Sequence, residues 1–166
     1  MTYARVRSVF TVSCTADVAW RAAHSPAVAS ALYRPVFHMR PDSGALPTHF
    51  SSGDHIDVHL RLFNLLPVGR QRISIEDTTH AQLPLGSRTM RDCGGPLSGI
   101  LTLTRTWNHE ISVWPQGDKR AVWHDELTLS GPFARVLSWG LRPLWLWRKL
   151  KIRRLAVGWS ATESAH

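Results

Sequence analysis

With 166 residues, 43% of them apolar and only 19% charged, the chain is the size of one domain with enough apolar content for a core, which excludes intrinsic disorder. Twenty Lys and Arg against twelve Asp and Glu leave a formal charge of +8, which favours anionic partners without choosing among nucleic acid, phospholipid surfaces and acidic ligands. Two cysteines, Cys14 and Cys93, exclude a disulfide framework and a Cys-x-x-Cys clip, so a reducing cytoplasm is the expected setting. The apolar run Val9 to Cys14 is too short for a signal peptide, and no apolar stretch is long enough for a membrane-spanning helix. A soluble protein, or one that docks on membranes only peripherally, is expected.

The first element is a strand, in which Val6, Ser8, Phe10 and Val12 alternate with Arg5, Arg7, Val9 and Thr11. Thr15 then caps a short helix with Asp17 in its first turn, and Ser25 followed by Pro26 opens a second one that Pro35 ends. Residues 36–52 are rich in Pro, Gly, Ser and His, with room for one short strand near Val36 to Arg40. From Gly53 the alternation is clear: Ile56, Val58, Leu60 and Leu62 share one face, and His55, Asp57, His59 and Arg61 the other. Gln71 to Asp77 repeats the pattern after a linker, Phe63 to Gly69, that is unusually apolar for a turn. Three more strands are expected at about Ser87 to Cys93, Ile100 to Trp114 and Lys119 to Ser130, joined by short turns and therefore antiparallel. After Gly131 and Pro132 the period becomes helical through Leu137, Leu141, Leu144, Leu150, Ile152 and Leu155. Pro143 is expected to kink this helix or restart it after Gly140. The chain then reads as a single domain over residues 1–159 with a frayed tail at 160–166.

This order gives an α+β helix-grip fold: two short helices after the first strand, then a curved antiparallel sheet of about six or seven strands in all, closed by the long C-terminal helix. Together with Trp20, the Gly53-Asp54 entry to a strand, and Trp107-Asn108-His109 followed by Asp125, it resembles the START-like superfamily, also called SRPBCC. That group includes birch pollen allergen-like proteins, lipid-transfer domains and polyketide cyclase/aromatase proteins. The resemblance spans roughly residues 5–157 and is closest to small bacterial members. It implies a hydrophobic cavity between sheet and C-terminal helix, but no particular activity, because the fold hosts binding proteins, carriers and a minority of enzymes.

The residues themselves point to the hairpin around Pro115 to Asp118. Its two inward faces carry Arg105, Trp107, His109, Ile111 and Val113 on one strand and Ala121, Trp123, Asp125 and Leu127 on the other. A register with His109 opposite Asp125 satisfies the parity, as does one slipped by two residues. Arg105, His109 and Asp125 are then expected as partners among apolar neighbours. They would form a structural hydrogen-bonded group, a polar anchor for an apolar ligand, or an acid/base pair of His109 and Asp125 for cyclisation or dehydration. Trp107 and Trp123 would touch such a ligand.

His55, Asp57 and His59 are ligand types for a metal, but alternate residues on a strand lie about 7 Å apart, so a solvated outer face is expected and no metal site. No phosphate loop, dinucleotide fingerprint or nucleophile elbow is present, and no cofactor is implied. Six basic residues fall between Arg142 and Arg154. Arg148, Lys149, Lys151, Arg153 and Arg154, with the apolar Phe63, Leu65 and Leu66, would contact an anionic membrane, or the basic heads are simply solvated. Nucleic acid is disfavoured, since no binding motif accompanies the charge. The leading expectation is non-enzymatic binding or transport of a hydrophobic small molecule such as a lipid, isoprenoid or aromatic polyketide. The alternatives are a cyclase-type enzyme and a membrane or interaction module.

Overall fold

The computed structural model describes residues 2–163, with side chains described to Trp159, so part of the expected tail lies outside the described residues. Strand β1 (Tyr3–Val12) is followed by α1 (Ala16–Ala23) and α2 (Pro26–Tyr33). Each helix starts as its local sequence dictates: the Thr15 hydroxyl accepts from Val18 N–H and the Ser25 hydroxyl from Val28 N–H, both at 3.3 Å, satisfying amides that have no partner within the helix. The loop-rich stretch does contain a strand, β2 (Phe37–Pro41).

Next come β3 (His55–Leu62), β4 (Leu66–Thr78), β5 (Arg88–Asp92), the two-residue β6 (Gly95–Pro96), β7 (Thr106–Pro115) and β8 (Ala121–Ser130). They form one antiparallel sheet of eight strands in the order β1-β8-β7-β5-β4-β3-β2, with β6 alongside β4. The apolar linker is a hairpin tip rather than a loop: Phe63 and Asn64 have φ of 49° and 59°, and β4 begins at Leu66.

Two expectations about β7 and β8 are corrected. Residues 100–103 form a 3-10 turn rather than the start of a strand, so β7 begins at Thr106 and leaves Arg105 exposed ahead of it. The β7–β8 register is the slipped alternative: Ile111, not His109, faces Asp125, and Val113 faces Trp123. Pairing runs on to Pro115 and Ala121, leaving only residues 116–120 in the loop, where Gln116 N–H donates to Arg120 O at 2.9 Å. A two-residue slip preserves the face of every side chain, which is why the inward set survives it.

Helix α3 (Ala134–Glu163) is continuous through Pro143, with no restart after Gly140, and extends into the expected tail. Its inward residues are Leu137, Leu141, Leu144, Trp145, Arg148, Ile152 and Ala156, a helical period with one arginine in it. Trp145 packs on Val6, Leu127, Leu129 and Ala134 in one core cluster, while Ile152 and Ala156 join a second built on Phe10, Val12, Trp123 and α1. Between these two anchor points helix and sheet do not meet fully, and a cavity remains.

Candidate functional site

The cavity has a volume of about 310 Å³ and is lined mainly by apolar side chains of the sheet's inner face, α2 and α3, among them Leu32, Val58, Ile73, Met90, Ile111 and Leu141. Its polar lining is confined to Tyr33, Gln71, Asp92, His109 and Arg148. Trp107 and Trp123 also line it.

Two of these polar residues, His109 and Arg148, meet at Asp125, which is completely buried. His109 Nε2 lies 2.7 Å from Asp125 Oδ1, a contact made on the diagonal of the β7–β8 ladder rather than straight across it. Arg148 donates from Nε and Nη2 to Asp125 Oδ2 at 3.1 and 2.9 Å, and Trp145 Nε1–H donates to the Asp125 carbonyl at 3.3 Å. The Arg148 guanidinium also lies over the Tyr33 ring, 4.7 Å from its centre. Burial pushes the Asp125 carboxyl upward, but the charges and hydrogen bonds of Arg148 and His109 overcome this and hold it at about 2. An ionised carboxylate only accepts, so His109 carries a proton on Nε2, and in the neutral ring Nδ1 holds the lone pair.

The cation expected beside this pair was Arg105; the residue that supplies it is Arg148. Arg105 lies outside β7 and is exposed, whereas Arg148, expected at a membrane-facing surface, is 1% exposed and enclosed. The missed signal was in the helix period: Arg148 falls on the stripe Leu141, Trp145, Ile152, Ala156, where an apolar residue would otherwise stand. The remaining basic residues of that segment are elsewhere. Lys149 Nζ lies 5.9 Å from the centre of the Phe10 ring, Lys151 Nζ donates to Arg34 O at 2.6 Å, Arg153 approaches Thr11 O at 3.4 Å, and Arg154 is exposed.

Asp92, directly opposite His109 on β5, was not anticipated. Its Oδ1 accepts from Ser74 N–H at 2.8 Å and Gly94 N–H at 3.0 Å. Burial raises its pKa, and those two amides with His109 only partly offset the effect. Burial likewise raises that of the Tyr33 phenol, against the pull of Arg148. Trp123, wholly buried against the cavity, has an indole N–H with no acceptor among the described residues.

The outer face of β3 is a different kind of cluster. Asp57 forms a two-pronged ion pair with Arg72 directly across the ladder, at 2.7 and 2.9 Å, His59 pairs with Asp42, and His55 Nδ1 lies 2.9 Å from Ser74 Oγ. Each of the three expected non-ligands thus has a protein partner. Cys14 is buried and Cys93 half-buried, with the Cys93 thiol 3.6 Å from Ser74 O.

Solved structures share this architecture. Norcoclaurine synthase from Thalictrum flavum, in complex with dopamine and hydroxybenzaldehyde, superposes with a TM-score of 0.61 at 12% identity, covering 95% of this chain and 88% of that one. The Zhui aromatase/cyclase from a Streptomyces species gives 0.61 at 10% identity over 93% and 94% of the two chains. A protein from Arthrobacter aurescens gives 0.65 at 10% identity over 93% and 86%. No family model matches the chain, and no curated protein matches it. At such identities the likeness is one of fold alone, the helix grip.

Proposed function

We propose that this protein binds an uncharged amphiphile, an apolar body ending in a hydroxyl or carbonyl group, inside the cavity between sheet and α3. The observation that carries this reading is the pairing of Arg148 with Asp125: the cavity's one arginine is already neutralised by a carboxylate. A ligand carboxylate would find no free guanidinium there and would meet Asp92 instead. A neutral group suits the polar lining: the neutral form of His109 has a lone pair on Nδ1, the Trp123 indole N–H lacks an acceptor among the described residues, and Tyr33 contributes a phenol. One fold relative, norcoclaurine synthase, is seen in complex with dopamine and hydroxybenzaldehyde, which supports an aromatic body for the ligand.

The test compares naphthol with naphthoate, two probes with the same apolar body and different end groups, by fluorescence titration. Naphthol should bind, and naphthoate at least about tenfold more weakly, the worth of one good hydrogen bond lost in a buried site. His109→Ala should weaken naphthol binding by about the same factor. Equal affinity for both probes would overturn the neutral-ligand reading, and no uptake of either would overturn binding in the cavity. Native mass spectrometry and organic extraction of the purified protein then identify the natural ligand class.

A second reading is favoured by one observation, the carboxylate-oriented imidazole. With Asp125 on Nε2, His109 has the arrangement of a general base, as a cyclase or dehydratase would need. Arg105 has no part in it. If His109→Ala abolishes turnover of a cyclisable substrate with binding retained, the protein is an enzyme; if it only weakens binding, it is a carrier.

A further inference from the structure

Three segments that wall the cavity carry exposed apolar residues on their other side. In the β3–β4 hairpin, Leu62 and Val68 line the cavity, while Phe63, Leu65 and Leu66 are 57%, 74% and 61% exposed. In the 3-10 turn, Ile100 lines the cavity and is itself 57% exposed. In the first turns of α3, Leu137 and Leu141 point inward and Val136 and Trp139 are 71% and 69% exposed.

These segments adjoin one another. Leu97 N–H donates to Arg70 O at 2.8 Å, and Gly69 and Gly99 meet so closely that a Cβ on Gly69 would stand 2.1 Å from the Ser98 carbonyl oxygen. At the other side Gly131 abuts Leu103 and Thr104, and Arg105 N–H donates to Ser130 O at 2.8 Å. The exposed apolar residues therefore form one rim at one end of the cavity, of a kind that isolated domains rarely leave bare.

The charge carried by these three segments has a single sign. The sequence has no Asp or Glu between Asp57 and Glu76, between Asp92 and Glu110, or between Glu126 and Glu163, and the three segments lie within those gaps. They carry Arg61, Arg105, Arg135 and Arg142, of which Arg142 lies over the Trp139 ring at 5.2 Å. Arg105 and Arg135 are exposed and have no carboxylate partner among the described residues. A second copy docking on the same patch would bring these arginines together, which is repulsive. An anionic bilayer satisfies both halves of the pattern: headgroups meet the arginines and the acyl boundary receives the apolar side chains, with Trp139 at the level between.

We propose that this rim docks the mouth of the cavity onto an anionic phospholipid bilayer, so that a ligand passes between bilayer and cavity without crossing water. Docking stands on the surface alone; the passage of ligand rests on the cavity reading above. The rim keeps Phe63, Leu65 and Leu66 of the surface expected from the sequence but not its basic residues. Lys149, Lys151 and Arg153 lie about 20 Å further along α3 by the helical rise and lean on β1 and the end of α2, and Arg154 beside them is exposed.

The experiment is sedimentation with phosphatidylcholine vesicles, with and without phosphatidylglycerol, alongside naphthol uptake in vesicle-free solution. The protein should sediment only with phosphatidylglycerol present, less so at high salt, and with a blue shift of its tryptophan emission. Leu65→Glu with Val136→Glu, and separately Arg105, Arg135 and Arg142 each changed to Glu, should cut binding at least about tenfold while leaving melting temperature and naphthol uptake unchanged. Lipid binding that is absent, indifferent to phosphatidylglycerol or retained by both variants would overturn the proposal. So would light scattering showing a dimer that Leu65→Glu dissociates, because a second copy would then cover the rim. If vesicles bind but naphthol is not taken up, the cavity reading fails and docking stands.

Discussion

Two clusters in this protein use the same three residue types, His, Asp and Arg, in opposite surroundings. On the outer face of β3 and β4, Asp57 meets Arg72 while Asp42 meets His59 and Arg70, all in contact with water. At the cavity, Asp125 meets His109 and Arg148 with almost no water at all. In both places a cation lowers the carboxyl: Arg72 lowers Asp57 chiefly through its hydrogen bonds, and at Asp125 Arg148 and His109 must first overcome burial. What differs is the consequence of removing a partner. Water replaces it on the outer face, whereas inside nothing does.

The sharpest break of the comparison is Arg148→Met, which leaves Asp125 buried without its guanidinium. Urea unfolding should show a loss of about 3–5 kcal/mol, and the double change with Asp125→Leu should recover much of it, because a matched apolar pair needs no compensation. A loss no greater than that of an outer-face change would mean that water reaches Asp125 and that the two clusters are alike.

Acid titration comes next. The Asp125 pKa is lowered from 3.8 to about 2, so the unfolded chain takes up this proton more readily than the folded one. Its stabilising contribution is complete above about pH 4 and is lost as the pH falls toward 2. Asp125→Asn should therefore flatten the dependence of stability on pH in that window; an unchanged slope would remove Asp125 from the explanation.

Asp92 runs in the opposite direction. Its pKa is raised, so folding favours the protonated form and the ionised form costs stability once the pH climbs above 3.8 and through the folded value. Asp92→Asn keeps an oxygen for the Ser74 and Gly94 amides and removes the charge. The variant should match the parent near pH 3 and become the more stable of the two as the pH rises, by thermal melts across the range. A variant less stable at neutral pH would show that the charge itself is needed.

Arg72→Ala should give the smallest effect, a change in melting temperature near the limit of measurement that high salt erases, since screening shortens the reach of an exposed pair to about 3 Å at 1 M.

Much of the fold was legible because it is written locally. Thr15 and Ser25 announce helix starts within three residues of themselves, and the alternation from Ile56 to Leu62 needs no distant information. The 3-10 turn at 100–103 was hidden because Ile100, Leu101 and Leu103 look the same in a buried strand as in a short turn. The candidate site was half legible. Strand parity put His109 and Asp125 on one face under either register, and the cost of burying a carboxylate required a cation nearby.

The sequence by itself determined the order of the helices and longer strands, the helix caps, the inward faces of β7 and β8, and the need for a positive partner at Asp125. Which arginine answered that need was decided only in three dimensions. Arg105 is near His109 along the chain but sits ahead of the strand, and Arg148 is 23 residues from Asp125 yet reaches it because α3 crosses the sheet at that point. The same crossing leaves the cavity between helix and sheet unfilled, with Val136 and Trp139 of α3 exposed. Periodicity records which face of an element is apolar; where that face lands on another element depends on packing summed over the whole chain.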